Sequence, residues 1–307
     1  RVLLVDAHLA SSPSLGVPLL LAYVAGTLAA LEILGRMQSW RAARHLSLLL
    51  VPALWLAAAY ALDRDRHVLA GLMVVVLPLA LGLHYWILVR QEEDDAALWP
   101  TLRHVGGFWL LMAAVTVELA WIGKRLAPGV DLWQLLALAM GPLVGLGFAM
   151  AGRRRQLAPV VGHDFAYLGF GALLPAAFLA GWSVWANFAH AGGGSGLPYV
   201  PILNPFDLVQ IASMGVLFAW LRMLEEAPLA GMPVPRPAWV GGAAFVWVSC
   251  LAARIAHHWG GVAFTGPAPW HSNLLRALRT LLWTATVIGA MIVATRFRVR
   301  RLWQGGF

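Results

Sequence analysis

Seven residues of this chain have the side chains and spacing to bind an anion or to handle a proton: Arg254, His257, His258, Arg276, Arg279, Asp207 and Glu118. Arg254 shares a helical face with His257 and His258, three and four positions on. Arg276 and Arg279 are also one three-residue step apart, with Trp283 next along the stripe. Guanidinium groups hold phosphate or pyrophosphate oxygens through charge-assisted hydrogen bonds. An imidazole beside them can donate to the same anion or act as a general base. Asp207 and Glu118 are the carboxylates that could balance this charge, and Asp207 also stands where it can cap the helix that follows Asn204. Neighbouring imidazoles on a helix point about 100° apart. No metal site is therefore expected from His257 and His258, even with His190 or His271. The chain has no Walker loop, HExxH or GxSxG, so no cofactor is expected.

All of these but Glu118 lie near two loops of similar plan. HAGGGSGLPYVPILN occupies 190–204 and HWGGVAFTGPAPWHSN occupies 258–273. Each opens on His-x-Gly-Gly, passes through prolines and an aromatic residue, and ends on an asparagine able to cap a helix, the plan of a weak internal repeat. Long loops of this kind, nearly free of charge, are expected to fold back onto the membrane surface.

The positioning elements are apolar helices. The chain is 60% apolar and 12% charged, a balance that a lipid-exposed surface explains and an ordinary soluble globule does not. The net charge of +8 comes from residues at the ends of apolar stretches rather than from one basic face, so nucleic acid is not an expected partner. With about 20 residues needed to cross the hydrocarbon, spans are expected near 15–35, 47–62, 68–89, 105–123, 132–152, 165–189, 205–225, 238–259 and 274–296. The fold class is thus all-α, a polytopic bundle of about nine spans. It is read as a single membrane domain over 1–307 and as part of a longer polypeptide.

Orientation follows from the cations. Arg36, Arg41, Arg44, Arg90, Arg103, Arg153, Arg154, Arg155, Arg222, Arg236, Arg296, Arg298, Arg300 and Arg301 follow odd-numbered spans, whereas the other connections carry only Arg64, Arg66, Lys124 and Arg125. The arginine-rich ends are expected in the cytoplasm, with the N-terminus and both Gly-Pro loops outside. Trp40, Trp121, Trp182, Trp185 and Trp259 fall near span ends, where an amphipathic indole anchors at the interface. Gly141 and Gly145 form a small-xxx-small pair suited to close helix packing. Pro52, Pro78, Pro142 and Pro175 within spans are expected to kink helices rather than break them. Cys250, the one cysteine, reads as a small packing residue.

YVPILNPFDLVQ at 199–210, ARIAHHWGGVAF at 253–264 and LLRALRTLLWTATVIGAMIVATRFRVRRLWQGG at 274–306 resemble the domain-of-unknown-function 2339 family of large bacterial polytopic membrane proteins. The resemblance covers roughly the last third of the chain in detail. It implies a multi-pass inner-membrane location, and it implies that Asn204, Arg254, His257 and His258 belong to a recurring pattern. It assigns none of them a catalytic role.

Three functions follow as expectations. The first is a non-enzymatic membrane component whose outer-leaflet pocket binds an anionic lipid or envelope precursor. The second is a membrane transferase or ligase on a lipid-linked glycan, with His257 or His258 as base. The third is a transporter subunit, which requires a polar site at the bilayer centre. The expected partners are membrane lipids, with other membrane subunits or the rest of a longer chain.

Overall fold

The structure is a computed structural model that describes residues 13–65, 67–90, 98–194, 196–226, 236–266 and 271–296. Nine long helices run through these residues: α1 Pro13–Met37, α2 Leu50–Asp65, α3 Met73–Arg90, α4 Leu98–Leu126, α5 Asp131–Arg154, α6 Phe170–Ala189, α7 Pro205–Glu226, α8 Arg236–Gly260 and α9 Asn273–Arg296. Among the described residues there is no strand. Eight helical stretches are long and apolar enough to cross a membrane, as the all-α polytopic reading requires. α8 is not among the eight; it carries Arg254, His257 and His258. Arg66, Arg298, Arg300 and Arg301, used above for orientation, lie outside the described residues.

Two stretches reach membrane length by joining unlike helical turns. A short helix, Arg41–His45, and a 3-10 turn, Leu46–Leu49, lead into α2, giving an apolar stretch of 22 residues over Ala42–Asp63. Pro52 falls in the first turn of α2, directly after the 3-10 turn. A π turn over Phe165–Gly169 likewise leads into α6. There a side chain on Gly171 would run into the carbonyl of Ala166, and the Trp109 indole donates to the Gly171 carbonyl at 2.8 Å. The wide turn thus explains the glycine, and the indole satisfies a carbonyl beside it. Pro78, Pro142 and Pro175 lie inside helices that continue past them.

The chain's contacts divide into two compact units, Arg1–Pro128 with Ala137–Ala176, and Gly129–Leu136 with Ala177–Phe307. In the first, Leu21 and Leu28 of α1, Leu50 and Leu54 of α2, Leu77 of α3 and Leu110 of α4 share one buried apolar cluster. The fully buried Glu32 is matched by Arg36 at 2.7 Å and Arg44 at 3.7 Å. α4 and α5 meet at the expected glycine pair: a Cβ on Gly141 would strike Thr116 and the Met112 carbonyl, and one on Gly145 the Met112 thioether.

In the second unit α8 packs along α9 and against α7. Leu275 and Ala294 are the buried residues of α9, which otherwise presents apolar side chains outward. Such a surface is at home in hydrocarbon, where a helix satisfies its own backbone and needs only one protein neighbour. Trp182, read as an interfacial anchor, is instead buried and donates to the Leu135 carbonyl at 3.1 Å. Trp185 and Trp259 remain exposed.

Candidate functional site

The start of α7 organises the site. Asn204 ends the preceding loop, Pro205 supplies a first helical residue whose φ is already suitable, and the Asn204 side-chain oxygen accepts the Asp207 N–H at 3.0 Å. The cap turns the Asp207 carboxylate back toward the loop. One oxygen accepts the Ile202 N–H at 3.1 Å, the Asn204 side-chain amide and the Tyr199 hydroxyl at 3.5 Å. The other accepts Arg254 Nη2 at 2.7 Å. Three donors thus crowd one oxygen of this carboxylate while the other is given to Arg254. Ile202 is held at φ 70°, a left-handed conformation that a β-branched residue adopts only under constraint. Its bond to Asp207 supplies that constraint.

Arg254, from the last third of α8, has no solvent exposure. Besides Asp207 it donates through Nη1 to the Asn187 side-chain oxygen of α6 at 2.9 Å, and its guanidinium carbon lies 5.0 Å from the centre of the Phe206 ring. A buried guanidinium needs a counter-charge and planar acceptors, and these three neighbours provide them. The expected phosphate ligand of α8 is therefore already neutralised inside the protein.

The two histidines of α8 face different partners. His258 Nε2 lies 2.9 Å from the Ala191 carbonyl, and His257 Nδ1 lies 2.8 Å from the Val262 carbonyl. A carbonyl only accepts, so each of these ring nitrogens carries the proton and the opposite nitrogen is the acceptor when the ring is neutral. The histidine donors expected to reach an anion are thus committed to the backbone. The His258 ring stacks on Tyr199 with centroids 4.1 Å apart, and Gly193 passes so close that a Cβ there would lie 2.6 Å from the ring. The Trp259 indole donates to the Tyr199 carbonyl at 3.3 Å.

At the head of the loop, His190 Nδ1 accepts the Gly192 N–H at 2.9 Å, and Gly192 takes a φ of 78° that suits glycine. Burial holds the His190 imidazole below its ordinary range, with His258 and Arg254 pushing the same way against an opposing pull from Asp131. Burial, then the Asp207 charge, raises the Tyr199 phenol. Both groups are consequently neutral at physiological pH.

Arg276 and Arg279 lie elsewhere on the same unit, in the first two turns of α9. Arg276 is exposed and makes a long hydrogen bond to the His271 carbonyl at 3.5 Å. It forms no ion pair among the described residues. Ser272 caps this helix through Leu275 N–H at 3.2 Å. Arg279, one turn on, is half-buried. Glu118 belongs to the first unit, where it accepts the Leu69 N–H at 2.6 Å and stands 3.5 Å from His67. His67 in turn stacks on Trp121 at 4.0 Å, so this carboxylate fixes the turn ahead of α3.

Asn187, Tyr199 and the polar residues around them were absent from the sequence candidates. Their one sequence signal is spacing: Ser183 and Asn187, like Asp207 and Gln210, recur on one helical face. Among the described residues no group of three or more His, Cys, Asp or Glu is placed to hold a metal ion.

No curated protein and no solved structure matches the chain. A family model described as "Predicted membrane protein (DUF2339)" matches residues 10–307, extending the resemblance of the last third to nearly the whole sequence. With its apolar helices and this match, the chain belongs to the DUF2339 family of multi-pass membrane proteins.

Proposed function

We propose that this chain is a non-enzymatic component of the bacterial inner membrane that binds an anionic lipid, or a lipid-linked envelope precursor, at the outer leaflet through Arg276 and Arg279. The observation that carries the reading is the exposed Arg276 guanidinium, held near the start of an apolar helix with no carboxylate beside it among the described residues. A cation at that depth favours a lipid phosphate. Arg254 supports the site from within: by locking loop 190–204 with Asp207 it fixes the end of α8, against which α9 packs. The ligand reading therefore rests on α9 rather than on α8.

The test is mass spectrometry of lipid retained on the protein purified in mild detergent. The wild type is expected to retain anionic lipid, and Arg276→Ala to retain roughly fivefold less at an unchanged melting temperature, the effect of about 1 kcal/mol for one cation at a lipid surface. Equal retention by the two proteins would overturn the proposal.

A second reading has one observation in its favour. His257 is oriented by its bond to the Val262 carbonyl with Nε2 left as an acceptor, the arrangement of an oriented general base in a transferase or ligase. Lipid retention that survives His257→Ala supports binding without this chemistry; turnover of the bound lipid that stops in His257→Ala supports the transferase.

A further inference from the structure

Beneath the Arg254–Asp207 pair the polar side chains continue into the interior of the second unit. Arg254 donates to Asn187, the Asn187 amide donates to the Ser183 carbonyl at 2.8 Å, and the Gln210 amide donates to that same carbonyl at 3.4 Å. Ser213 follows Gln210 on the same face of α7. Asp207, Gln210 and Ser213 are three successive core-facing positions with no solvent exposure, in a helix where apolar residues would ordinarily stand. At 1.5 Å per residue, Ser213 lies about 12 Å along α7 from Pro205, close to half the thickness of a hydrocarbon core.

This network is unfinished. Ser183 Oγ, Gln210 Oε1, Ser213 Oγ and Arg254 Nε are buried and have no hydrogen-bond partner. Self-satisfaction is available to a helical hydroxyl, and other hydroxyls of this unit use it: Ser249, Thr280, Thr286 and Thr295 each donate to the carbonyl four residues back. Ser183 and Ser213 do not. The Gln210 amide is correctly turned, because the opposite orientation would set its oxygen against the Ser183 carbonyl. A bare buried polar atom costs about 1–3 kcal/mol, so Ser183, Gln210 and Ser213 call for a further partner.

We infer that Ser183, Gln210 and Ser213 form an internal water site between α6 and α7. The leftover set consists of one acceptor and two hydroxyls that donate or accept. Water offers both donors and acceptors and meets all of them, and ordered interior water ordinarily makes about three such bonds. A metal cation would find only neutral oxygens here, the Asp207 carboxylate being already paired with Arg254, and an anion would be set against the Gln210 carbonyl. Water thus completes a polar seam that joins α6, α7 and α8 at a depth where no lipid headgroup can reach. The inference is independent of lipid binding at Arg276.

The sign of a stability change tests it. Gln210→Met keeps the length and helix propensity while deleting the polar end, and Ser213→Ala raises helix propensity while deleting the hydroxyl. If water satisfies these atoms, each variant in lipid nanodiscs is expected to melt about 2–4 °C lower than the wild type. If the atoms are bare, removing them relieves a penalty and melting rises; a rise or no change in both variants would overturn the site. A map near 2 Å resolution supplies the second readout. Density within hydrogen-bond distance of Gln210 Oε1 and Ser213 Oγ supports the inference even where a variant fails to fold, and a dry contact there overturns it. Wild-type melting that depends on sodium over potassium, with the dependence lost in Ser213→Ala, would replace water by a cation and so overturn it as well.

Discussion

The Arg254 guanidinium lies 2.7 Å from the Asp207 carboxylate, and neither side chain has any solvent exposure. One charge comes from near the end of α8 and the other from the first turn of α7, so their union ties two helices together. Asp207 also gathers three donors from residues 199–204, so the loop is fastened by the same carboxylate. Desolvating two charges is expensive, and their attraction is reinforced by the bonds that Asn187, Tyr199, Ile202 and Asn204 make to the pair.

Removing either partner leaves an uncompensated buried charge. Arg254→Ala or Asp207→Ala is expected to cost about 3–5 kcal/mol, whereas the double replacement Arg254→Met with Asp207→Leu is expected to cost less than either single change. Thermal unfolding of the four proteins in detergent checks this, and a double variant as unstable as the sum of the singles would argue against the pair as the source of the effect.

Loop 190–204 depends on a close approach at Gly193. Gly193→Ala places a methyl group 2.6 Å from the His258 ring, and the ring must move off Tyr199 and off the Ala191 carbonyl. A loss of about 1–3 kcal/mol is expected, read as lower melting and faster proteolysis within the loop. Gly181→Ala, in open space on α6, is the control and should be neutral or slightly stabilising.

His190 makes the loop sensitive to acid. Its Nδ1 accepts the Gly192 N–H, which requires the neutral ring, and burial holds its proton affinity below the ordinary value of 6.5. Below that pH the unfolded chain binds a proton that the folded chain refuses. Stability is therefore full above about pH 6.5 and falls as pH drops toward the depressed folded value. Melting curves from pH 7.5 to 5 should show a decline that is shallower in His190→Gln; parallel declines would assign the acid sensitivity to other groups.

The α4–α5 contact rests on two glycines. A Cβ on Gly141 meets Thr116 and a Met112 carbonyl that cannot move aside, so Gly141→Ala is expected to cost about 1–3 kcal/mol. Gly147→Ala on the same helix meets nothing within 4 Å and should leave melting unchanged or slightly raised. Equal effects at both positions would indicate loss of glycine flexibility in general rather than this contact.

The helices were legible because the hydrocarbon imposes a length and every backbone group must be satisfied within it. The expected span 205–225 becomes α7 Pro205–Glu226 because Asn204 caps and Pro205 opens it, both local signals. The expected start at 68 for the third span was early, since residues 67–72 form a turn held by Glu118, a contact 49 residues away in sequence. Trp182 was misplaced for a similar reason: an indole near a helix end looks alike whether it faces lipid or a neighbouring carbonyl.

The sequence by itself determined that this chain is an all-α, multi-pass membrane protein, and it singled out Arg254, His257, His258 and Asp207 as polar groups needing partners. Composition and periodicity carry that information because lipid tolerates so few alternatives. Only the tertiary structure decided who the partners are. It consumed the Arg254 charge on Asp207 and Asn187, committed both histidine donors to backbone carbonyls, and left Arg276 exposed. A guanidinium has the same sequence signature whether it waits for a ligand or is already paired, and the difference lies in contacts between helices far apart in the chain.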